Sequence, residues 1–249
     1  MTPQLGRPPK YADLVAQRVI GEIVEQDLQP GSMLPPEKEM LERYGVGRGT
    51  LREALRHLEL QGVLQIRPGP TGGPMVAMPG PGNLASSITL LLALSRTPFR
   101  EVVDVAGALE PAMAELAAEQ ADDDAIAALR GSVDHLVEHL RAKDTGAFMR
   151  EHHHFHELLA AATGNELFRY LSGALQNIIS GSQTGVVYSL TQMKITVQAH
   201  EAIVDAIADR DGPRARTAIA EHMGAWRKML HRQHADALDR PVTWGEGET

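Results

Sequence analysis

Residues 34–62, LPPEKEMLERYGVGRGTLREALRHLELQG, leave this chain few ways to fold. Two short helical patterns flank Gly45-Val46-Gly47, a turn too tight to carry them apart. From about Gly47 to Gln61, Leu51, Ala54, Leu55 and Leu58 recur at helical spacing and define a stripe that must be buried. Arg48, Arg52 and Arg56 recur every four residues. Each step advances only about 40° around a helix of 3.6 residues per turn, so the three form one row. One face packs, and the other can reach a polyanion.

A solvated basic face is the bland explanation of an arginine row, but the setting here is ordered. Between residues 43 and 67 there are five arginines against two acids, Glu53 and Glu59, in a chain whose formal net charge is −8. A cationic ridge on an acidic protein is a directed site. The first helix of the pair opens on Pro35-Pro36 with Glu37 and Glu39 in its first turn, complementing the helix dipole. After the second, Val63–Arg67 alternates like a strand, with Met75–Met78 as its partner and PGPTGGP between them as a wing tip. A phosphate cradle is the rival reading of that glycine-rich loop, but no lysine and no helix start follow it. The order predicts a winged helix-turn-helix whose second helix enters the major groove of DNA.

Upstream, Leu14, Val15, Val19, Ile23 and Val24 give a further helix over Tyr11–Asp27, ended by Pro30-Gly31 and preceded by a flexible basic arm at 1–10. Pro79–Gly82 reads as a linker. Charge then changes: residues 1–80 hold nine basic and nine acidic side chains, whereas 81–249 hold 15 and 23, together with ten of the eleven histidines. The expected domains are 1–80, winged helix-turn-helix; 81–238, an all-α antiparallel helical bundle of roughly six or seven segments; and 239–249, a disordered tail. Breaks are expected near Arg96–Pro98, Asp122, Asp144, Thr163–Asn165, Gly181–Gly185 and Asp211–Pro213. The fold class is therefore mostly α, with a two-stranded wing.

Composition narrows the function classes. Without cysteine there are no disulfides and no thiolate metal sites. Residues 1–10 lack a signal-peptide core, and the longest apolar run, Ile88–Leu94, is too short to span a bilayer. A cytoplasmic protein with no membrane partner is expected.

Histidines form the second informative pattern. In Arg150–His156, His152 and His156 lie one turn apart at the edge of the stripe Phe148, Phe155, Leu159, while His153 and His154 are expected at the surface. His200 borders the stripe of Ile195, Ala199, Ile203 and Ile207. His222 sits within that of Ala218, Ile219, Trp226 and Leu230. A single inward histidine is usually a hydrogen-bonded core residue. Four of them on three helices can instead satisfy one another by sharing a cation.

The segment LPPEKEMLERYGVGRGTLREALRHLELQGVL resembles the DNA-binding signature of the GntR superfamily of bacterial transcription regulators, and Arg67–Val76, with Gly72-Gly73, resembles its wing. Leu109-Glu110-Pro111, His156 in HFHELLAAATGN, His200 in QAHEAIVDAIADRD and His222 in AEHM resemble the FCD subgroup. The resemblance implies a homodimeric, ligand-responsive regulator bound to double-stranded operator DNA. It implies that Arg52 reads bases with Arg48 in support and that the wing near Gly69 approaches the minor groove. Arg48 and Lys38, the latter from the preceding helix, are expected to contact phosphate, and Thr50 and Arg67 complete the expected DNA-binding set. It also implies a divalent metal held by His152, His156, His200 and His222 beside a small-molecule effector, commonly a small carboxylate.

Three positions depart from that pattern. His152 stands where Asp is usual, which favours Zn or Ni over harder ions. Ala106 stands where many members have an arginine that helps bind an acidic effector. Gly47 and Gly49 replace Ser or Thr hydroxyls that could bond phosphates. No catalytic residue is expected. The alternatives are a direct metal-ion sensor regulating transcription and a metalloenzyme with an appended DNA-binding domain; for the latter, Glu151 and Glu157 flank the histidine pair without sharing its face.

Overall fold

The computed structural model describes residues 10–69, 72–182, 186 and 188–245. The basic arm at 1–9, the wing-tip residues 70 and 71, the interhelical break at 183–185 and the last four residues lie outside these. Two compact units result, Met1–Asn83 and Leu84–Thr249.

In the N-terminal unit, helices α1 (Tyr11–Glu25), α2 (Glu37–Tyr44) and α3 (Arg48–Leu60) precede strands β1 (Leu64–Arg67) and β2 (Gly73–Val76). The strands pair antiparallel, Leu64 opposite Val76 and Arg67 opposite Gly73. Helix α1 ends two residues earlier than its apolar spacing suggests, and the chain turns at Asp27, whose φ is positive. Helix α2 stops because Gly45 takes the left-handed conformation (φ 64°) that a side chain would resist. Val15, Val19, Leu34, Met40, Leu51, Leu55, Leu58, Leu64 and Val76 close one small core, so the apolar stripe read from α3 is the face that packs.

The C-terminal unit holds all but the first three residues of α4 (Pro81–Leu94), and α5 (Phe99–Gln120), α6 (Asp123–Ala142), α7 (Thr145–Ala161), α8 (Glu166–Ser182), α9 (Leu190–Ala208), α10 (Gly212–Gln233) and α11 (Ala235–Asp239). Asp122, Asp144, Ser189 and Asp211 cap α6, α7, α9 and α10 through side-chain oxygens, which fixes where each helix begins. Helix α5 packs on α10, α10 on α9, α9 on α6, α6 on α7, α7 on α8 and α8 on α5. That circuit encloses a core including Phe99, Phe148, Phe155, Leu159, Met193, Ile203, Ile219 and Leu230. The described residues form eight helices here, one more than the upper expectation, because His234 separates α11 from α10.

The expected disordered tail needs correction. Residues 239–242 return to the bundle: Phe99 N–H donates to the Arg240 carbonyl, Val242 N–H donates to the Thr97 carbonyl, and the Val242 side chain is buried. A single apolar residue finding a distant pocket leaves no periodic signal, so a polar-looking stretch can still be anchored.

Candidate nucleic-acid interface and metal centre

Helix α3 presents its arginine row to solvent, with Arg48 79%, Arg52 69% and Arg56 66% exposed at the side chain. The three are not equivalent. Arg56 Nη1 is tied to Glu59 Oε2 at 2.7 Å within its own helix. Arg52 Nη2 lies 3.4 Å from both carboxylate oxygens of Glu37, the first residue of α2, and Arg48 Nε lies 4.0 Å from Glu37 Oε1. Arg43, the first arginine of the segment, donates to Glu22 and Glu39 and staples α1 to α2. Lys38 is exposed on α2, Thr50 is half-buried in the first turn of α3, and Arg67 and Gly69 are exposed on the wing.

Gly47 is the N-cap of α3 and makes no side-chain cap hydrogen bond, having none to offer. A Cβ at Gly47 or Gly49 would meet open space, so neither glycine is there for want of room. Gly72 is different: a Cβ there would run into the Arg67 carbonyl across the wing tip, so glycine is required for the chain to turn.

Helices α7, α9 and α10 bring His152, His156, His200 and His222 together, all buried. One ring nitrogen from each lies within 4.8 Å of the others. The His200 ring stacks on Phe155 at 3.9 Å between centroids, which fixes its plane, and its centroid is 5.1 Å from that of His152 and 4.8 Å from that of His222. His152 Nδ1 and both nitrogens of His200 are buried without a hydrogen-bond partner. Buried imidazole nitrogens normally have one.

His156 is oriented from behind. Its Nδ1 lies 3.0 Å from Oε2 of Glu110 on α5, a carboxylate itself 2% exposed, whose Oε1 accepts from Gln176 Nε2 of α8 at 3.3 Å. With Nδ1 donating to that carboxylate, Nε2 keeps its lone pair for the cluster. Sequence reasoning missed this role. The signal was available, since Glu110 interrupts the apolar spacing Val103, Ala106, Met113, Ala117 on the core face of α5.

Burial, with the neighbouring histidines adding to it, holds the imidazoles of His152 and His200 well below the ordinary histidine range and pushes His222 down to about 3. These three rings are therefore neutral near pH 7, the form that donates a lone pair to a metal. The residues fit a divalent ion on three counts: four convergent nitrogens, orphaned atoms that coordination would satisfy, and a hydrogen-bonded carboxylate behind one ligand. An ion bonded to nitrogen at about 2.1 Å spans at most about 4.2 Å between two ligands, so small ring rotations draw the set in.

Two surface expectations divide. His154 is exposed, near Glu157. His153 is not a free surface residue: its Nδ1 pairs with Ser180 Oγ of α8 at 2.6 Å, its Nε2 is buried, and burial pushes it down to about 4. Beside His222 lies a cavity of about 100 Å³ lined in part by Tyr188, Ile195, Thr196, Trp226 and Met229. Ala106 is buried in the core of α5.

A winged helix-turn-helix with an exposed arginine edge, joined to an all-helical unit around a polar centre, is the architecture of a DNA-binding transcription regulator. Comparison with known proteins agrees: residues 11–71 match the bacterial regulatory proteins of the gntR family and residues 101–225 match the FCD domain. The chain belongs to the GntR family of regulators with an FCD domain. It is similar to the HTH-type transcriptional repressor NanR of Cronobacter sakazakii (strain ATCC BAA-894), 28% identical over 235 residues, covering 89% of this chain and 87% of the relative. NanR of Salmonella newport (strain SL254) is 27% identical over 241 residues, covering 91% of each. Among solved structures, Streptococcus agalactiae GntR superposes with a TM-score of 0.69 at 26% identity, covering 87% of this chain and 99% of that one. These relatives are regulators, and this chain is one too rather than an enzyme. Among the described residues no helix is long and apolar enough to cross a membrane.

Proposed function

We propose that the protein is a cytoplasmic, homodimeric, metal-assisted regulator that binds operator DNA through Lys38, Arg48, Thr50, Arg52, Arg67 and Gly69 and releases or engages it in response to a small molecule. The observation that carries the ligand-responsive half is the orphaned imidazole set: four buried histidines converge, and His200 has no partner for either nitrogen. An all-imidazole shell suits Zn or Ni better than Mn or Mg. An effector would sit beside the metal, with the cavity at His222 as one wall of its site. It acts by binding one arrangement of the protein more tightly than another.

The DNA-binding half rests on the exposure of Arg48 and Arg52. Arginine pairs with guanine O6 and N7 in the major groove at about 1–3 kcal/mol of discrimination. Repression is the mode named for both NanR relatives, and it is the mode proposed here. The dimer is supported by α4, which is uncharged throughout. Leu84, Ala85, Ile88 and Leu92 face the bundle, while Leu91 and Leu94, respectively 66% and 75% exposed, form a second apolar face suited to a second copy of the chain.

One observation favours direct metal sensing as a second reading. Four nitrogens complete a tetrahedral shell, and a closed site has no open position for an organic ligand. The test uses full-length protein, stripped of metal, on a duplex selected from a random-sequence library. If zinc or nickel alone changes operator affinity at least fivefold, the ion is the effector. If metal raises the melting temperature without changing affinity, and a metabolite then changes it, the assisted-effector reading holds. No metal binding at all overturns both.

A further inference from the structure

Within the arginine row, one acid stands out because it comes from another helix. Glu59 serves Arg56 locally and also accepts from Ile66 N–H, and Glu22 and Glu39 hold Arg43. Glu37 instead reaches from the start of α2 to both Arg48 and Arg52, fifteen residues along the chain in the second case. We infer that Glu37 is a positioning residue that sets sequence discrimination, by directing the Arg52 guanidinium and by cancelling part of the charge that would otherwise bind any phosphate. The inference rests on the reading of Arg52 as a base contact.

The geometry suits guiding better than sequestering. Charge-assisted hydrogen bonds to carboxylates are usually about 2.7–2.9 Å, as in the Arg56–Glu59 pair at 2.7 Å. Arg52 Nη2 sits at 3.4 Å from each Glu37 oxygen, equidistant from both. The contact biases the plane of the fork, and the Nε and Nη1 donors are not assigned to Glu37. A guanidinium has five N–H groups, and bidentate recognition of guanine needs two of them. Glu37 can therefore stay in place while Arg52 reads a base.

The same carboxylate has the opposite effect on phosphate. Nonspecific affinity comes from cations that displace the counterions condensed on the backbone, without regard to sequence. Arg48 and Arg52 with Glu37 between them carry a net charge of +1 rather than +2, and Glu37 is 40% exposed. A phosphate approaching either arginine also meets that carboxylate, whereas a guanine edge offers acceptors without a full charge. The carboxylate therefore costs binding to random sequence more than it costs binding to the operator.

The test measures affinity of the full-length protein for a duplex recovered from a random-sequence library and for a scrambled duplex of equal length, each at several salt concentrations. Glu37→Gln keeps the shape and removes the charge. Its affinity for scrambled duplex should rise about 3–10-fold, the slope of log affinity against log salt should steepen by about 0.9, and the ratio of selected to scrambled affinity should fall by a similar 3–10-fold. Glu37→Asp keeps the charge but shortens the reach. It should leave scrambled affinity within twofold of the parent while the ratio still falls, because Arg52 is no longer directed. Melting curves confirm that each variant is folded. If Arg52→Ala abolishes discrimination but both Glu37 variants leave ratio and slope unchanged, Glu37 is only a first-turn acid of α2 and the inference is overturned. If Arg52→Ala itself leaves discrimination intact, the base-contact reading fails first, and a changed salt slope in Glu37→Gln would then report charge alone.

Discussion

The two units treat ionisable side chains in opposite ways. On α3 the arginines stand in water, each near a carboxylate, and none depends on its partner to be tolerable there. In the bundle four clustered histidines are withdrawn from water, burial holds His152, His200 and His222 neutral, and three nitrogens of the four rings have no partner. An exposed charge is cheap to keep and can be offered to whatever polyanion arrives. A buried orphan is expensive, and the orphaned nitrogens on α7 and α9 are atoms that coordination would satisfy. On the proposed reading, specificity on one side comes from directing groups already solvated, and on the other from a buried cluster that a bound ion would complete.

The largest effect that could break this contrast is at His200. Replacing one of four ligands should lower divalent affinity on the order of 100-fold or more, since four-ligand structural sites bind with about 10–16 kcal/mol. At a metal concentration 1,000 times the parent Kd, metal stabilises the fold by about 4.1 kcal/mol; after a 100-fold loss the same concentration gives about 1.4 kcal/mol. His200→Ala should therefore shrink the metal-induced rise in melting temperature to about a third, read as a difference between loaded and stripped protein so that the lost Phe155 stacking cancels. A full-sized rise would mean that the four rings do not share an ion.

A smaller effect belongs to the carboxylate behind the cluster. Glu110→Gln leaves an oxygen able to accept from His156 Nδ1 but removes the charge that makes the ring a better donor. Partners of this kind are worth 10–100-fold in metal affinity, and the amide should sit near the lower end, about 10-fold. Competition against a chromophoric chelator measures it. Unchanged affinity would make Glu110 a core hydrogen-bond partner and no more.

Periodicity carried most of this into view from the residues alone. The stripe of α3 and the inward habit of His152, His156, His200 and His222 are properties of single helices, so a wheel shows them before any packing is known. What stayed hidden depends on contacts between elements. His153 falls outside the apolar stripe on the wheel, yet α8 covers it through Ser180. Glu37 looks like a helix-dipole acid until α3 folds beside it, fifteen residues away in sequence from Arg52. Val242 lies in a stretch with no period at all, and only the strand-like pairing of Pro241 with Pro98 shows why it is held. Glu110 was legible in principle, as a charge on an apolar stripe, but which histidine it serves was not.

The smallest expected effect tests whether the arginine row is one surface or three residues. Arg56 is the member already engaged within its own helix, and exposed pairs of this kind contribute about 0.2–1 kcal/mol to stability, toward the low end at this exposure. Arg56→Ala should move the denaturation midpoint little. It should also flatten the salt slope for random duplex by less than the roughly 0.9 per cation expected of a full phosphate contact, because Glu59 already offsets its charge. Discrimination between selected and scrambled duplex should change by less than twofold. Were Arg56→Ala to cost as much discrimination as Arg52→Ala, the row would act as a uniform cationic ridge, and the distinction between guided and locally neutralised arginines would be lost.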